Sequence, residues 1–191
     1  MNNWVGMTEE QAGIVQKARK RVIESIGKNM DLYGVTLSTG HLYGMMFFQD
    51  KPMTLDEMGE EMGMSKTSMS TGVRTLTDLK MVHKVWEKGT RKDLYEVEPD
   101  WYQTFADFFV IKWQKSIEMN VQALRKSAAE LKRLTESDPD NEALQNIVAT
   151  DTSKLEEAIR YYLWLGRLID TFESGEIFKL VPKEEPQTDS H

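Results

Sequence analysis

Cysteine is absent from the 191 residues, which excludes disulfides, thiol catalysis and Cys-ligated zinc and leaves no sign of an oxidising compartment. Histidine is scarce: His41, His83 and His191 stand alone, and no H-E-x-x-H, G-x-S-x-G or phosphate-loop pattern occurs. No catalytic residue, metal site or cofactor is therefore expected, and the chain does not read as an enzyme. Apolar runs fall far short of the roughly 20 residues that span a bilayer, and residues 1–8 lack a basic stretch followed by an apolar one. A cytoplasmic chain with no membrane partner is the expectation. Positive charge is in deficit, with 24 Lys and Arg against 31 Asp and Glu for a net charge of -7. Taken over the whole chain, that balance argues against a simple electrostatic nucleic-acid binder. Hydrophobic residues at 40% and charged residues at 29% lie in the ordinary globular range, so the chain can bury a core without staples.

The pattern of apolar residues predicts mostly helix. Thr8 with Gln11 three positions on is a capping box that opens a helix over 8–33, in which Ala12, Val15, Ala18, Val22, Ile26, Met30 and Tyr33 recur at steps of three and four. Lys17, Lys20, Arg21 and Lys28 fall on its other face and read as solvated surface. A second helix over about 38–49 is apolar all round, so it belongs to a core, and Pro52 closes it. Eight of the twelve methionines lie between Met45 and Met81, a soft filling for that core.

Residues 54–79 carry the most informative pattern. Thr54 and Glu57 cap a short helix with Leu55, Met58 and Met62 as its stripe, Gly63 supplies a tight turn, and Ser65 starts another helix with Met69, Val73 and Leu76 turned inward. Two short helices about a glycine turn are the signature of a helix-turn-helix. The stretches 81–86 and 94–97 then read as strands joined by a polar, glycine-bearing tip, which makes the unit a winged helix.

Charge is distributed to match. Residues 65–93 hold seven cations, Lys66, Arg74, Lys80, Lys84, Lys88, Arg91 and Lys92, against Asp78, Glu87 and Asp93, a local +4 that leaves -11 elsewhere. That is the footprint phosphate neutralisation requires. At about 100° per residue, Thr67, Ser70, Thr71 and Arg74 share the outward face of the second helix. Five of the seven residues over 65–71 bear hydroxyls, short groups that let the backbone approach DNA, while Arg74 can address guanine. The candidate DNA-contacting set is Ser65, Lys66, Thr67, Ser68, Ser70, Thr71 and Arg74 of the helix with Lys88, Thr90, Arg91 and Lys92 of the wing. For Ser65 by itself, capping is the nearer role.

The run 53–59, the turn 63–66, the helix 68–76 and the wing 88–95 together resemble the MarR-like winged-helix repressors, and within them the GbsR/OpcR branch. Many MarR proteins place an Asp-x-Arg signature in the wing; here Asp93 follows Arg91 and Lys92, which fits the GbsR-like branch better. The resemblance implies a homodimeric repressor of genes for osmoprotectant uptake or synthesis, responsive to choline or glycine betaine. Two winged helices related by a dyad would read a palindromic operator on double-stranded DNA.

The expected architecture is mainly α with a small β-wing. An N-terminal helix over 1–36 supports dimerisation, a winged helix-turn-helix over 37–98 reads DNA, long helices over 99–180 dimerise and can hold an effector, and 181–191 form a disordered tail. Seams at Trp113, Ile117, Val121, Leu124, Ala128 and Leu131, and at Leu155, Ala158, Tyr162, Leu165, Ile169 and Phe172, suit helices packed lengthwise. Six aromatics crowd residues 101–113; they fall in one arc of a helix, so packing is their expected role. Aromatic faces also attract quaternary ammonium groups, and Tyr43, Trp113 and Tyr161 are the candidates for a small-molecule cage. The competing reading is a winged helix used as a protein-interaction module, its basic face meeting an acidic partner.

Overall fold

The computed structural model describes residues 6–89 and 91–184. The chain divides into two compact units, one running to Thr104 and the other starting at Phe105.

In the first unit, α1 (Glu9–Asn29) begins with the expected capping box: Thr8 Oγ1 accepts from Gln11 N–H at 3.2 Å while Gln11 Oε1 accepts from Thr8 N–H at 2.9 Å. The α-helix stops earlier than its apolar repeat. A single 3-10 turn covers Met30–Tyr33, and Gly34, at φ 68°, lets its own N–H reach the Asp31 carbonyl. The buried side of α1 also differs from the expected stripe. Gly27 is buried and Val22 is left exposed, because α1 meets α2 (Leu37–Phe47) at its glycines rather than its largest apolar residues. A Cβ on Gly40 would lie 2.9 Å from both Cα and O of Gly27, so the two backbones nearly touch.

That approach puts α2 in the centre of the unit. Leu42, Tyr43, Met45 and Met46 are buried, and the helix ends at Phe47, ahead of Pro52. The helix-turn-helix follows. In α3 (Leu55–Met62) the Thr54 hydroxyl accepts from Glu57 N–H and the Glu57 carboxylate accepts from Thr54 N–H at 2.7 Å. Gly63, at φ 62°, makes the turn, and Ser65 caps α4 (Lys66–Asp78) by accepting from Ser68 N–H at 3.2 Å. Met69, Gly72, Val73 and Leu76 are the buried positions of α4, the stripe that its period predicts plus the glycine on which Leu42 rests. Lys80, at φ 56°, then turns the chain sharply into the wing.

The wing is a two-stranded antiparallel ribbon of β1 (Val82–Val85) and β2 (Leu94–Val97), with Val85 opposite Leu94 and Val82 opposite Val97. A third piece joins it: Met53 and Tyr95 exchange both backbone hydrogen bonds at 2.9 Å, tying the entrance of α3 to the wing. One isolated bridge has no period, so the sequence does not announce it.

The second unit is a helical hairpin. It comprises α5 (Trp101–Ser137) from Phe105 onward, α6 (Glu142–Glu173) and a last turn α7 (Ile177–Leu180). Asn141 caps α6, accepting from Leu144 N–H at 3.1 Å, and Gln145 pins the connection through the Thr135 carbonyl. Val121, Val148, Leu165 and Ile169 are buried, and Phe109 stacks on Phe172 with ring centroids 5.7 Å apart. The aromatics over 101–113 pack only in part: Phe105 and Phe108 lie against Phe109, and Trp101 meets Phe47 with ring centroids 5.2 Å apart, while Trp101, Tyr102, Phe105 and Trp113 keep exposed surface. Of the expected tail, residues 181–184 contain no helix and the remainder lies outside the described residues.

Gly40→Ala should destabilise the first unit by about 1 to 3 kcal/mol, since the new methyl meets two backbone atoms of Gly27 and the Cβ of Met30, none of which can move aside cheaply. Thermal unfolding followed by circular dichroism checks this; an unchanged midpoint would mean that α1 and α2 can separate freely.

Candidate nucleic-acid interface

Because Met69, Val73 and Leu76 are buried, the opposite side of α4 faces solvent, and Thr67, Ser70, Thr71 and Arg74 are all exposed there. Their hydroxyls are not equivalent. Ser65 and Ser68 are hydrogen-bonded to each other at 2.9 Å, with Ser68 half-buried. Thr71 donates back to the Thr67 carbonyl at 3.1 Å, so its hydroxyl is left as an acceptor. Among the described residues the Thr67 and Ser70 hydroxyls have no hydrogen-bond partner and the Arg74 guanidinium, on the same exposed face, has no ion-pair partner. Of the five candidate hydroxyls at α4, Thr71 has committed its donor and Ser65 and Ser68 use one donor between them, which leaves Thr67, Ser70 and one of that pair with a donor to spare.

The cations divide in the same way. Lys66 Nζ lies 2.9 Å from Asp56 Oδ1 and Lys92 Nζ lies 3.5 Å from Asp56 Oδ2. Within the wing, Lys84 pairs with Asp93 at 2.7 Å. Lys88 and Arg91 are exposed at the tip, and Thr90 lies outside the described residues. Asp56 sits 10 and 36 positions from its two lysines, spacings that no helical or strand period links, so a charge count along the chain misses it. Beside Lys84, whose Nζ stands 5.0 Å from the ring centroid, Trp86 is 86% exposed. His83 lies lower on the ribbon, its Nε2 2.9 Å from Glu96 Oε1, in a structural tie across the strands.

The hydrogen bond from the Lys66 ammonium, with the charges of Lys66 and Lys92 adding to it, holds the Asp56 carboxyl below the usual carboxylate range despite an opposing effect of burial. Glu57 is lowered as well, chiefly by the hydrogen bond from Thr54 N–H.

Among the described residues no cluster of His, Asp or Glu is arranged to hold a metal ion, and no helix is long and apolar enough to cross a membrane.

The first unit also contains a cavity of about 170 Å³ lined by Ile26 and Asn29 of α1, Met30 and Tyr33 of the 3-10 turn, Tyr43 of α2, Met81, and Trp101 and Thr104 of the first turn of α5. Burial, reinforced by Tyr33 and the Glu98 carboxylate, pushes the Tyr43 phenol up to about 12, so it stays neutral. Of the three cage candidates only Tyr43 lines this cavity. Trp113 and Tyr161 belong to the other unit, where both are exposed and Tyr161 packs edge-on against Tyr162.

Comparison with known proteins accounts for both units. Residues 101–179 match the family described as the GbsR family transcriptional regulator, C-terminal helical hairpin. The chain is 43% identical over 170 residues to the HTH-type transcriptional repressor GbsR of Bacillus subtilis (strain 168), covering 89% of this chain and 94% of that relative. The chain belongs to the GbsR family. To the HTH-type transcriptional repressor OpcR of the same organism, this GbsR-family chain is 41% identical over 177 residues, covering 93% of it and 96% of OpcR. A crystal structure of a transcriptional regulator shares the fold, with a TM-score of 0.52 at 14% identity over 83% of this chain and 98% of that one. This GbsR-family protein is accordingly a transcriptional repressor with a winged helix-turn-helix, mainly α with a small β-wing, and not an enzyme.

Because the Asp56 carboxyl is lowered, its two ion pairs persist until the pH falls below the value at which a free aspartate takes up its proton, and whatever stability they supply is lost only as pH drops through the lowered value. Carbon-detected NMR titration should give Asp56 a midpoint below that of an ordinary aspartate. Lys66→Ala should raise the midpoint more than Lys92→Ala; the reverse order would contradict the shorter Lys66 contact.

Proposed function

We propose that this repressor is a homodimer that reads a palindromic operator on double-stranded DNA, controls genes of osmoprotectant uptake or synthesis, and is modulated by choline. The observation that carries the DNA reading is the pairing of an exposed polar face on α4, with Thr67, Ser70 and Arg74 unengaged, with the cations Lys88 and Arg91 at the wing tip. A helix of this kind presents its N-terminal half to base edges in the major groove while wing cations meet phosphates. Dimerisation is supported by the hairpin, which leaves Met119, Ile147, Leu163 and Trp164 exposed along helices that have no further partner among the described residues of their own unit. A dyad then spaces the two reading helices about one helical turn of DNA apart. The target genes follow from the kinship with GbsR and OpcR and the regulatory role that the resemblance implies.

Choline is favoured as effector by the cavity. Tyr33, Tyr43 and Trp101 offer three aromatic faces to a quaternary ammonium. The cavity is about the volume of six water molecules in the liquid, in keeping with a small organic cation, and the negative charge of Glu98 is felt by Tyr43 in its wall. Among the described residues lining it there is no Lys or Arg, hence no cation to pair with the carboxylate of glycine betaine. A ligand there touches α1, α2, the first turn of α5 and Met81, three residues after α4. Differential affinity for two arrangements of these elements would shift the population competent to bind DNA.

The DNA reading is tested by fluorescence anisotropy on a duplex selected from a randomised library and on a shuffled duplex of the same composition. Arg74→Ala should abolish discrimination between them, whereas Lys88→Ala should weaken binding to both and flatten the salt dependence by about one unit of log-log slope. If neither variant differs from wild type on either duplex, the assignment of the reading face is wrong.

Calorimetric titration tests the effector. Choline should bind the wild type more tightly than glycine betaine does, and Trp101→Ala, which removes an exposed ring, should weaken choline by about tenfold. Absence of heat and of any thermal shift at millimolar choline would remove the effector assignment and leave the DNA reading standing.

A further inference from the structure

Asp56 is an acid placed among the cations of the reading face. It stands in the first turn of α3 and its two oxygens reach the first residue of α4, Lys66, at 2.9 Å and a wing residue, Lys92, at 3.5 Å. One carboxylate therefore joins the three pieces whose relative placement decides how α4 and the wing meet a duplex. All three side chains are well exposed, 42% for Asp56 and 65% and 66% for the lysines, and exposed pairs of this kind add little to stability. Their effect on phosphate binding is larger. Sharing one carboxylate between two ammonium groups leaves a local charge of +1 in place of +2, and each lysine must give up its contact with Asp56 to neutralise a phosphate.

That opposition acts unequally on different sequences. On an arbitrary duplex, affinity comes almost wholly from phosphate neutralisation, so a carboxylate on the face subtracts from it directly. On the operator, base contacts dock α4 in one register, and the wing held to α4 through Asp56 is already set for it. We infer that Asp56 is a positioning residue that sets operator specificity: it restrains Lys66 and Lys92 from the phosphates of any duplex and so lowers non-operator affinity more than operator affinity. This rests on the DNA reading proposed above.

The full chain is compared as wild type, Asp56→Asn, Asp56→Ser, Asp56→Glu and the double variant Asp56→Asn with Lys66→Ala. Anisotropy is measured over a range of salt on a duplex that the wild type selects from a randomised library and on its shuffled counterpart. The two neutral variants should bind the shuffled duplex about fivefold more tightly at low salt, with a log-log salt slope steeper by about one, and the ratio of selected to shuffled affinity should fall by about threefold. Asp56→Glu keeps the charge and should stay within about twofold of wild type; adding Lys66→Ala to Asp56→Asn should remove the gain. Neutral variants with wild-type affinity and slope on the shuffled duplex overturn the inference, even if they melt earlier, because Asp56 would then be only a tie at the start of α3. A Glu variant that behaves like the Asn variant overturns it too. A wild type that enriches no sequence and binds neither duplex instead removes the DNA reading itself.

Discussion

The reading face exists because α4 can turn only one way. Met69, Val73 and Leu76 are almost wholly buried, Gly72 rests against Leu42, and Leu42 in turn sits on an α2 that lies nearly in backbone contact with α1 at Gly27 and Gly40. Rotating α4 by even one residue would bring Thr67 or Arg74 into that core and expose a methionine, at a cost of several kcal/mol in buried apolar area and unpaired polar groups. The exposure of Thr67, Ser70 and Arg74 is thus a consequence of packing on the far side of the helix. The glycines matter as much as the large side chains, since they set the distance at which the stack of α1, α2 and α4 closes.

Electrostatics then acts on a surface that packing has already shaped. An acidic chain carries a cationic head, but the head is not uniformly positive. Lys66 and Lys92 lean on Asp56, Lys84 leans on Asp93, and the wing tip presents Lys88 and Arg91 outward. Cations that are free and cations that are tethered contribute differently to a duplex: the first supply attraction to any phosphate, the second respond to where the backbone falls. On the DNA reading proposed above, the acidic remainder of the chain would repel DNA approaching from other directions and so favour the head.

The aromatic cavity lies within the same unit as the reading helix, and its lining includes Met81 just after α4 as well as residues of α1, α2 and α5. Of these elements α2 packs directly against α4, where Leu42 meets Gly72. A cation bound among Tyr33, Tyr43 and Trp101 would act on the supports of the reading helix, the kind of shared element through which two sites can be coupled.

Much of this molecule is written in short-range rules. Thr8 with Gln11, Thr54 with Glu57, Ser65 before α4 and Gly63 at the turn each act within four residues, and each structure they predict is present. The three-four period of α4 picks out the residues that end up buried, and the strand-like runs on either side of a glycine-bearing tip pair as a wing. The misses share one cause. The inner face of α1, the bridge from Met53 to Tyr95, the exposure of Trp101 and Trp113 and the cavity that unites Tyr33 and Tyr43 with Trp101 all depend on which elements meet and how closely. So does Asp56, whose partners are neighbours only after α3, α4 and the wing have packed together. Caps, turns and periods are local because backbone hydrogen bonds and helix geometry reach only a few residues along the chain. Contacts between distant residues follow from the packing of whole elements, where a missing methyl at Gly27 or Gly40 counts for as much as any charge.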